Sequence, residues 1–345
     1  VHQASGRRYD GLFYYEDAGD SGDGWTRGSP VNDLVCTSPG MPVMTAVEED
    51  GPLRTTFRVE REFQLPRRID RRTGWRDADR QTLTATDCIT VERHNPCLRV
   101  HTVINNTVCD HRFRVLFPTG MQAQQSFAET PFAIVERDVA IPKETAGWYE
   151  RVNAEKPFTS FFGVQDDAGG LAVLAPFGLH EYAVTEEAEQ HLALTLFRST
   201  YKTVHQHEER EGQLLQPLTF DYALYPFDGA FEAVEASQLV AAAQSCIRSH
   251  GAAEAGASRS FGRLVENNVI LTALKPAEEG AGGIARFWNP GSRPARDTLV
   301  LAQPVQSAER CNLNEEAQET LEPDADGAIP VEVPPRGLLT VRFTW

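Results

Sequence analysis

The chain has 345 residues, with 33 Lys and Arg against 49 Asp and Glu, for a net charge of −16. That balance argues against phosphate-rich partners and excludes nucleic acid binding as the expected role. No run of about 18 apolar residues is present, so no membrane-spanning helix is encoded, and the length suits one large body with a smaller appendage.

The start, Val1-His2-Gln3-Ala4-Ser5-Gly6, has no initiator Met, basic stretch or apolar stretch, and reads as the interior of a longer polypeptide. A loop follows, Glu16-Asp17-Ala18-Gly19-Asp20-Ser21-Gly22-Asp23-Gly24-Trp25, with three aspartates at intervals of three among glycines. Glycine permits the tight backbone, and the close carboxylates repel one another unless a cation, a polyol or water separates them. Sugar hydroxyls satisfy carboxylates, and an indole offers a flat apolar surface to a pyranose ring. Asp17, Asp20, Asp23 and Trp25 are therefore the candidate substrate-binding residues, set against a solvated hairpin tip with the same spacing.

Beyond the loop, period-two alternation dominates and predicts an all-β chain. Strands are expected over Phe57–Phe63, Leu83–Arg93, Leu98–Asn105, Phe113–Phe117, Phe132–Val139, Phe158–Val164, Leu171–Ala175, Leu192–Arg198 and Leu218–Tyr225. Those over Phe57–Phe63 and Phe113–Phe117 read as burying one face of an antiparallel sheet. Stacked sheets fit this number of strands better than a single one. Phe231 to His250 breaks the habit: Val234, Leu239, Ala242, Ala243 and Cys246 mark a partly amphipathic helix that Gly251 stops. Ala252 to Ser258 reads as a linker, which divides the chain at 1–258 and 259–345. Short strands resume in Ile284–Trp288, Thr298–Ala302 and Leu338–Phe343, as a small β-sandwich would have them, and the acidic stretch Glu315 to Asp326 reads as a solvated loop.

Six cysteines, at 36, 88, 97, 109, 246 and 311, show no metal or disulfide spacing. They read as reduced, mostly buried thiols, Cys88 facing the core of its strand, and a cytoplasmic location is the expectation. His205 and His207 are the best-spaced metal-ligand pair, but they sit in a charged run that looks like a solvated loop. No His-Glu-x-x-His, no phosphate-cradling Gly-rich loop and no Gly-x-Ser-x-Gly elbow occurs. With 49 acids no catalytic carboxylate pair can be chosen, and no catalytic or metal-binding residue is assigned within the chain.

Several segments in order resemble the C-terminal portion of family 38 glycoside hydrolases, the retaining α-mannosidases. They are Gly6-Arg7-Arg8-Tyr9-Asp10-Gly11-Leu12 running into the Glu16–Trp25 loop, then Arg99–Thr107, His111–Gly120, Gly170–Leu174, Gly178–Tyr182 and Leu194–Ser199. The resemblance covers nearly the whole chain. It implies a large β super-sandwich, similar to the galactose-mutarotase fold, followed by a smaller β-sandwich. It also implies a zinc ion and an aspartate nucleophile in an N-terminal catalytic domain of the same polypeptide. This chain has no His-x-Asp and no His-Asp pair, the motifs through which the family holds zinc, so that domain is expected to be missing and the chain inactive alone. The Asp17–Trp25 loop is then expected at the rim of the α-mannoside site, with Trp25 in place of a more usual tyrosine. Arg198, at a strand end, reads as a structural ion pair. The competing readings are a free-standing carbohydrate-binding or mutarotase-like module, using His101, or His180 with Glu181, and a structural assembly domain that forms homo-oligomers.

Overall fold

The computed structural model describes residues 2, 6–9, 11–148, 152–187, 189–203, 210–245 and 260–345. The chain is all-β and divides into two compact units, residues 1–128 with 136–231 and residues 129–135 with 232–345. The division expected at 258/259 falls outside the described residues.

The first unit is built on two antiparallel sheets. One has six strands, in the order Lys156–Pro157, Glu181–Val184, His191–Ser199, His111–Pro118, Tyr14–Gly19 and Cys36–Thr37. The other has nine, in the order Val43–Asp50, Arg54–Pro66, Arg80–Glu92, Leu98–Asn105, Pro217–Asp228, Gly169–Leu174, Phe161–Asp166, Gln125–Thr130 and Ala133–Asp138. Alternate side chains of each strand enter one shared core. Tyr15, Phe113, Val115 and Phe117 come from the first sheet, and Phe63, Leu83, Ile104 and Val173 from the second. Aromatic edges and faces lock the two layers: Phe63 meets Phe113 edge-on at 5.4 Å, and Tyr15 stacks on Phe113 at 5.1 Å.

The strand His111–Pro118 is buried on both faces, not on one. Its outward arginines are covered as well, Arg112 by Glu155 and Arg114 by Glu16 at 2.6 Å. Burial, with Arg114 and Arg27 close by, pulls the Arg112 guanidinium down to about 10 against the pull of Glu155.

A carboxylate lies between the two sheets. Asp87 is fully buried, and its Oδ1 accepts from Tyr15 Oη at 2.5 Å and Thr102 Oγ1 at 2.8 Å, while Oδ2 accepts from Arg61 Nη1 at 2.5 Å. Leu83, Ala85, Asp87 and Ile89 alternate inward, so Cys88 faces the opposite side, beside Glu48, and not the core. The expected apolar neighbour of the core is thus an aspartate, tolerated because three donors converge on it.

The second unit pairs a five-stranded sheet with a three-stranded one around Phe287, Leu299, Ile329, Val333 and Val341. Within the acidic stretch expected as a loop, Ala317–Leu321 is an edge strand paired with Ser307–Cys311. Its one acid, Glu319, is exposed, and the density of acids on either side hid the strand. The helix runs Ala233–Gln244, after which Ser245 is extended. Its buried face is Ala236, Ser237 and Val240, while Ala242 and Ala243 are exposed. Cys246 and the expected stop at Gly251 lie outside the described residues.

Candidate functional site

The strand Tyr14–Gly19 pairs with His111–Pro118 in the register Asp17↔Phe113 and Gly19↔His111. Alternation therefore carries Tyr15 and Asp17 inward. Asp17 belongs to this strand and not to the loop, which corrects its reading as an open sugar ligand. Its side chain is fully buried, with Oδ2 accepting from Arg76 Nη2 at 2.6 Å and Oδ1 lying 2.6 Å from His111 Nδ1. Burial alone would raise its pKa, but His111 and Arg76 outweigh that and hold the carboxyl below the usual value. Asp17 is an internal anchor for the sheet end from which the loop departs.

Asp20 is fully buried as well. Its Oδ1 accepts from the backbone N–H of Gly22 at 2.9 Å and of Gly28 at 3.1 Å, and its Oδ2 from Arg198 Nε at 2.7 Å. Arg198 also donates from Nη2 to the carbonyl of Asp23 at 2.8 Å. The strand-end arginine is thus an ion-pair partner that ties Asp20 to the turn at Asp23. The closely spaced carboxylates need no separating cation, because each has its own internal donors.

Asp23 and Trp25 sit differently. Asp23 Oδ1 accepts from the N–H of Trp25 and of Thr26, both at 2.9 Å, and these backbone bonds hold its carboxyl below the usual value. Its own N–H closes the turn onto Thr26 O at 3.1 Å. The Trp25 side chain projects from this turn 72% exposed. One carboxylate oxygen of Asp23 and one indole face are what the loop presents outward.

Two glycines make the tip possible. A Cβ on Gly22 would lie 1.9 Å from Thr26 O, and one on Gly28 would lie 2.7 Å from Gly22 N. Gly22→Ala is expected to open the tip at a cost of about 1–3 kcal/mol, as overpacking typically does. Hydrogen exchange should then show the Trp25 and Thr26 amides unprotected while those of Tyr14–Gly19 stay protected, and unchanged protection at the tip would refute it.

Sequence reasoning missed the neighbouring hairpin. Residues 67–80 carry Arg67, Arg68, Arg71, Arg72, Arg76 and Arg80 in a chain that is otherwise acidic, and that local excess was the available signal. The hairpin abuts the chain that leaves the loop: Val31 N–H donates to Gly74 O at 2.9 Å, and Asn32 bridges Trp75. Arg71 reaches Asp110 at 2.7 Å and lies 3.4 Å over the Tyr201 ring. A cavity of about 650 Å³ opens on the hairpin, lined by Arg68, Asp70, Arg71, Arg72, Asp77 and Asp79.

Among the described residues no three His, Cys, Asp or Glu side chains converge as a metal cage. His205 and His207 lie outside them. His101 Nδ1 stands 2.8 Å from Asp221 Oδ1 on the exposed face of the nine-stranded sheet, while Glu181 accepts from Thr195 Oγ1 at 2.6 Å. The carboxylate that His101 meets is therefore Asp221, while Glu181 is engaged by Thr195.

Comparison with known proteins agrees with this architecture. The family model described as glycosyl hydrolases family 38 C-terminal domain matches residues 3–205, and that described as the family 38 C-terminal beta sandwich domain matches residues 268–341. The sandwiches and the matches together define the C-terminal β region of a glycosyl hydrolase. The chain belongs to glycosyl hydrolase family 38.

A curated protein of Halalkalibacterium halodurans, named "Putative mannosylglycerate hydrolase", is 25% identical over 368 residues, covering 99% of this chain and 39% of the relative. An α-mannosidase structure from Enterococcus faecalis V583 superposes with a TM-score of 0.86 at 23% identity, over 99% of this chain and 40% of that one. A second family 38 structure from Enterococcus faecalis gives 0.82 at 23% identity, over 99% of this chain and 41% of that one. These structures show a shared fold, and the chain spans about two fifths of each of these three proteins.

Proposed function

We propose that this chain is the non-catalytic β portion of a retaining α-mannosidase and completes the rim of its sugar site. The observation that carries the reading is the Asp20–Gly28 tip, where buried bonds from Asp20 and Arg198 hold Asp23 and Trp25 outward in a chain that matches the family 38 models. Trp25 offers its face to a pyranose ring and Asp23 an acceptor to its hydroxyls. The nucleophile and the zinc belong to the N-terminal catalytic domain of the same polypeptide, outside this chain, and no step is assigned here to either. The relative's name supports a second reading of the substrate, a mannoside of glycerate in place of a neutral mannoside.

The test compares this chain with a polypeptide extended upstream to the length of its relatives, on an aryl α-mannoside and on mannosylglycerate, with and without added zinc. Hydrolysis is expected only from the extended polypeptide. There Trp25→Ala should raise KM about tenfold, the loss of one stacking contact, with a smaller change in kcat. Hydrolysis by this chain alone would refute the non-catalytic assignment, and an unchanged KM would remove Trp25 from the site. Mutarotation of a free sugar by this chain, abolished by His101→Ala, would favour the alternative module.

A further inference from the structure

Val43–Asp50 is the outermost strand of the nine-stranded sheet, paired on one side only, with Arg54–Pro66. All eight of its residues are exposed, including Val43 at 49%, Met44 at 68% and Val47 at 58%. Its first five residues, Val43 to Val47, carry no charge, and the bulge that interrupts the strand comes after them, between Val47 and Glu49. Beside it on the core-facing side of the sheet, Phe57 and Val91 are also exposed. A long uncharged edge presents unpaired N–H and C=O groups that template the addition of another strand.

The other sheet edges among the described residues are blunted. The six-stranded sheet ends in strands of two residues on both sides. Ala133–Asp138 has only three uncharged residues, Ile329–Val333 contains Pro330, Ile270–Pro276 has its bulge within its uncharged run, Ala317–Leu321 carries Glu319 and an irregular register, and Gly262–Leu264 is three residues long with Arg263 at its centre. Val43–Asp50 also carries Glu48, Glu49 and Asp50 in its second half, but its uncharged run of five residues, Val43–Val47, is uninterrupted.

We propose that this edge joins two copies of the chain, with Val43–Val47 pairing antiparallel to the same segment of the second copy about a two-fold axis at Thr45. In that register Val43 faces Val47, Met44 faces Ala46 and Thr45 faces itself, so apolar cross-strand pairs form on both sheet faces. Glu48 falls opposite Pro42 and Glu49 opposite Met41, so no acid meets an acid. Each acid also keeps an arginine of its own copy, Arg58 for Glu48 at 3.1 Å and Arg54 for Glu49 at 2.5 Å. The glutamates nearest the edge therefore add no local repulsion to the contact.

Sedimentation of the 345-residue chain over a range of concentrations tests the proposal. A monomer–dimer equilibrium is expected, with the amides of residues 43–47 becoming slower to exchange as the dimer fills. Thr45→Lys sets two lysines at the axis and should weaken the dimer about tenfold or more while leaving the urea midpoint of dilute protein unchanged. Thr45→Cys should give a disulfide-linked dimer on oxidation that the parent chain, with its own thiols, does not form. A monomer at every concentration, a dimer that Thr45→Lys leaves intact, or protection of residues 43–47 that is independent of concentration would overturn it.

Discussion

Asp17→Ala should destabilise the first unit by about 3–5 kcal/mol, the cost of removing one partner from a buried ion pair. The Arg76 side chain is only 1% exposed, and with Asp17 gone its remaining acceptor is the carbonyl of Leu34 at 2.7 Å. His111, fully buried, loses the same carboxylate. Because both donors lie where the strand hands over to the loop, the Trp25 and Thr26 amides should also lose protection in the variant. The pH dependence has a definite sign. A carboxyl held below its unfolded value of about 4 contributes stability that is complete above that value and is lost as pH falls through the folded one. The gap between parent and variant, followed by urea unfolding of the first unit, should be widest near neutrality and narrow below about pH 4. A gap that widens in acid would refute the ion-pair account.

Asp87→Ala should cost about 1–3 kcal/mol, less than Asp17→Ala despite equal burial. Arg61 is 12% exposed and lies over the Phe13 and Tyr15 rings, so it reaches water once freed, and Thr102 retains the Tyr222 hydroxyl at 3.1 Å. The main loss is the acceptor for Tyr15 Oη. Here the pH sign is opposite. Burial raises Asp87 above its usual value and outweighs the donors from Tyr15, Thr102 and Arg61. Its contribution is therefore complete below the unfolded value of about 4 and declines as pH rises through the folded one. The two variants, measured side by side, should diverge from the parent in opposite directions along the pH axis. Parallel curves would show that the two carboxylates do not occupy the distinct settings described.

Much of the sandwich was legible because a half-buried strand must alternate. The pattern in Leu83–Arg93 follows directly from one face meeting a core, whereas Phe113–Phe117 alternates although both its faces are covered. The loop was legible for a different reason, since glycines among its aspartates mark a tight turn, while the close approach of Gly22 to Gly28 emerged only in the structure. Cys88 was misplaced because period two leaves two choices of inward face, and an aspartate was not expected in a core. Leu83, Ala85 and Ile89 already held the signal for the correct choice. The helix Ala233–Gln244 was placed on the wrong face for want of a clear apolar stripe, its buried set including Ser237.

Composition, alternation and the glycine-spaced aspartates suffice to determine an all-β chain with a turn built for exposure, and the order of its segments points to family 38. Those properties are local, set by backbone sterics and by one residue against its neighbours. Which aspartate faces outward is decided only in three dimensions. Asp17 and Asp23 look alike in the sequence, yet the first is closed off by Arg76, 59 residues along the chain, and the second is held by its own turn. A buried charge is stable only where distant donors converge on it, and their convergence is a property of sheet register rather than of any stretch of residues.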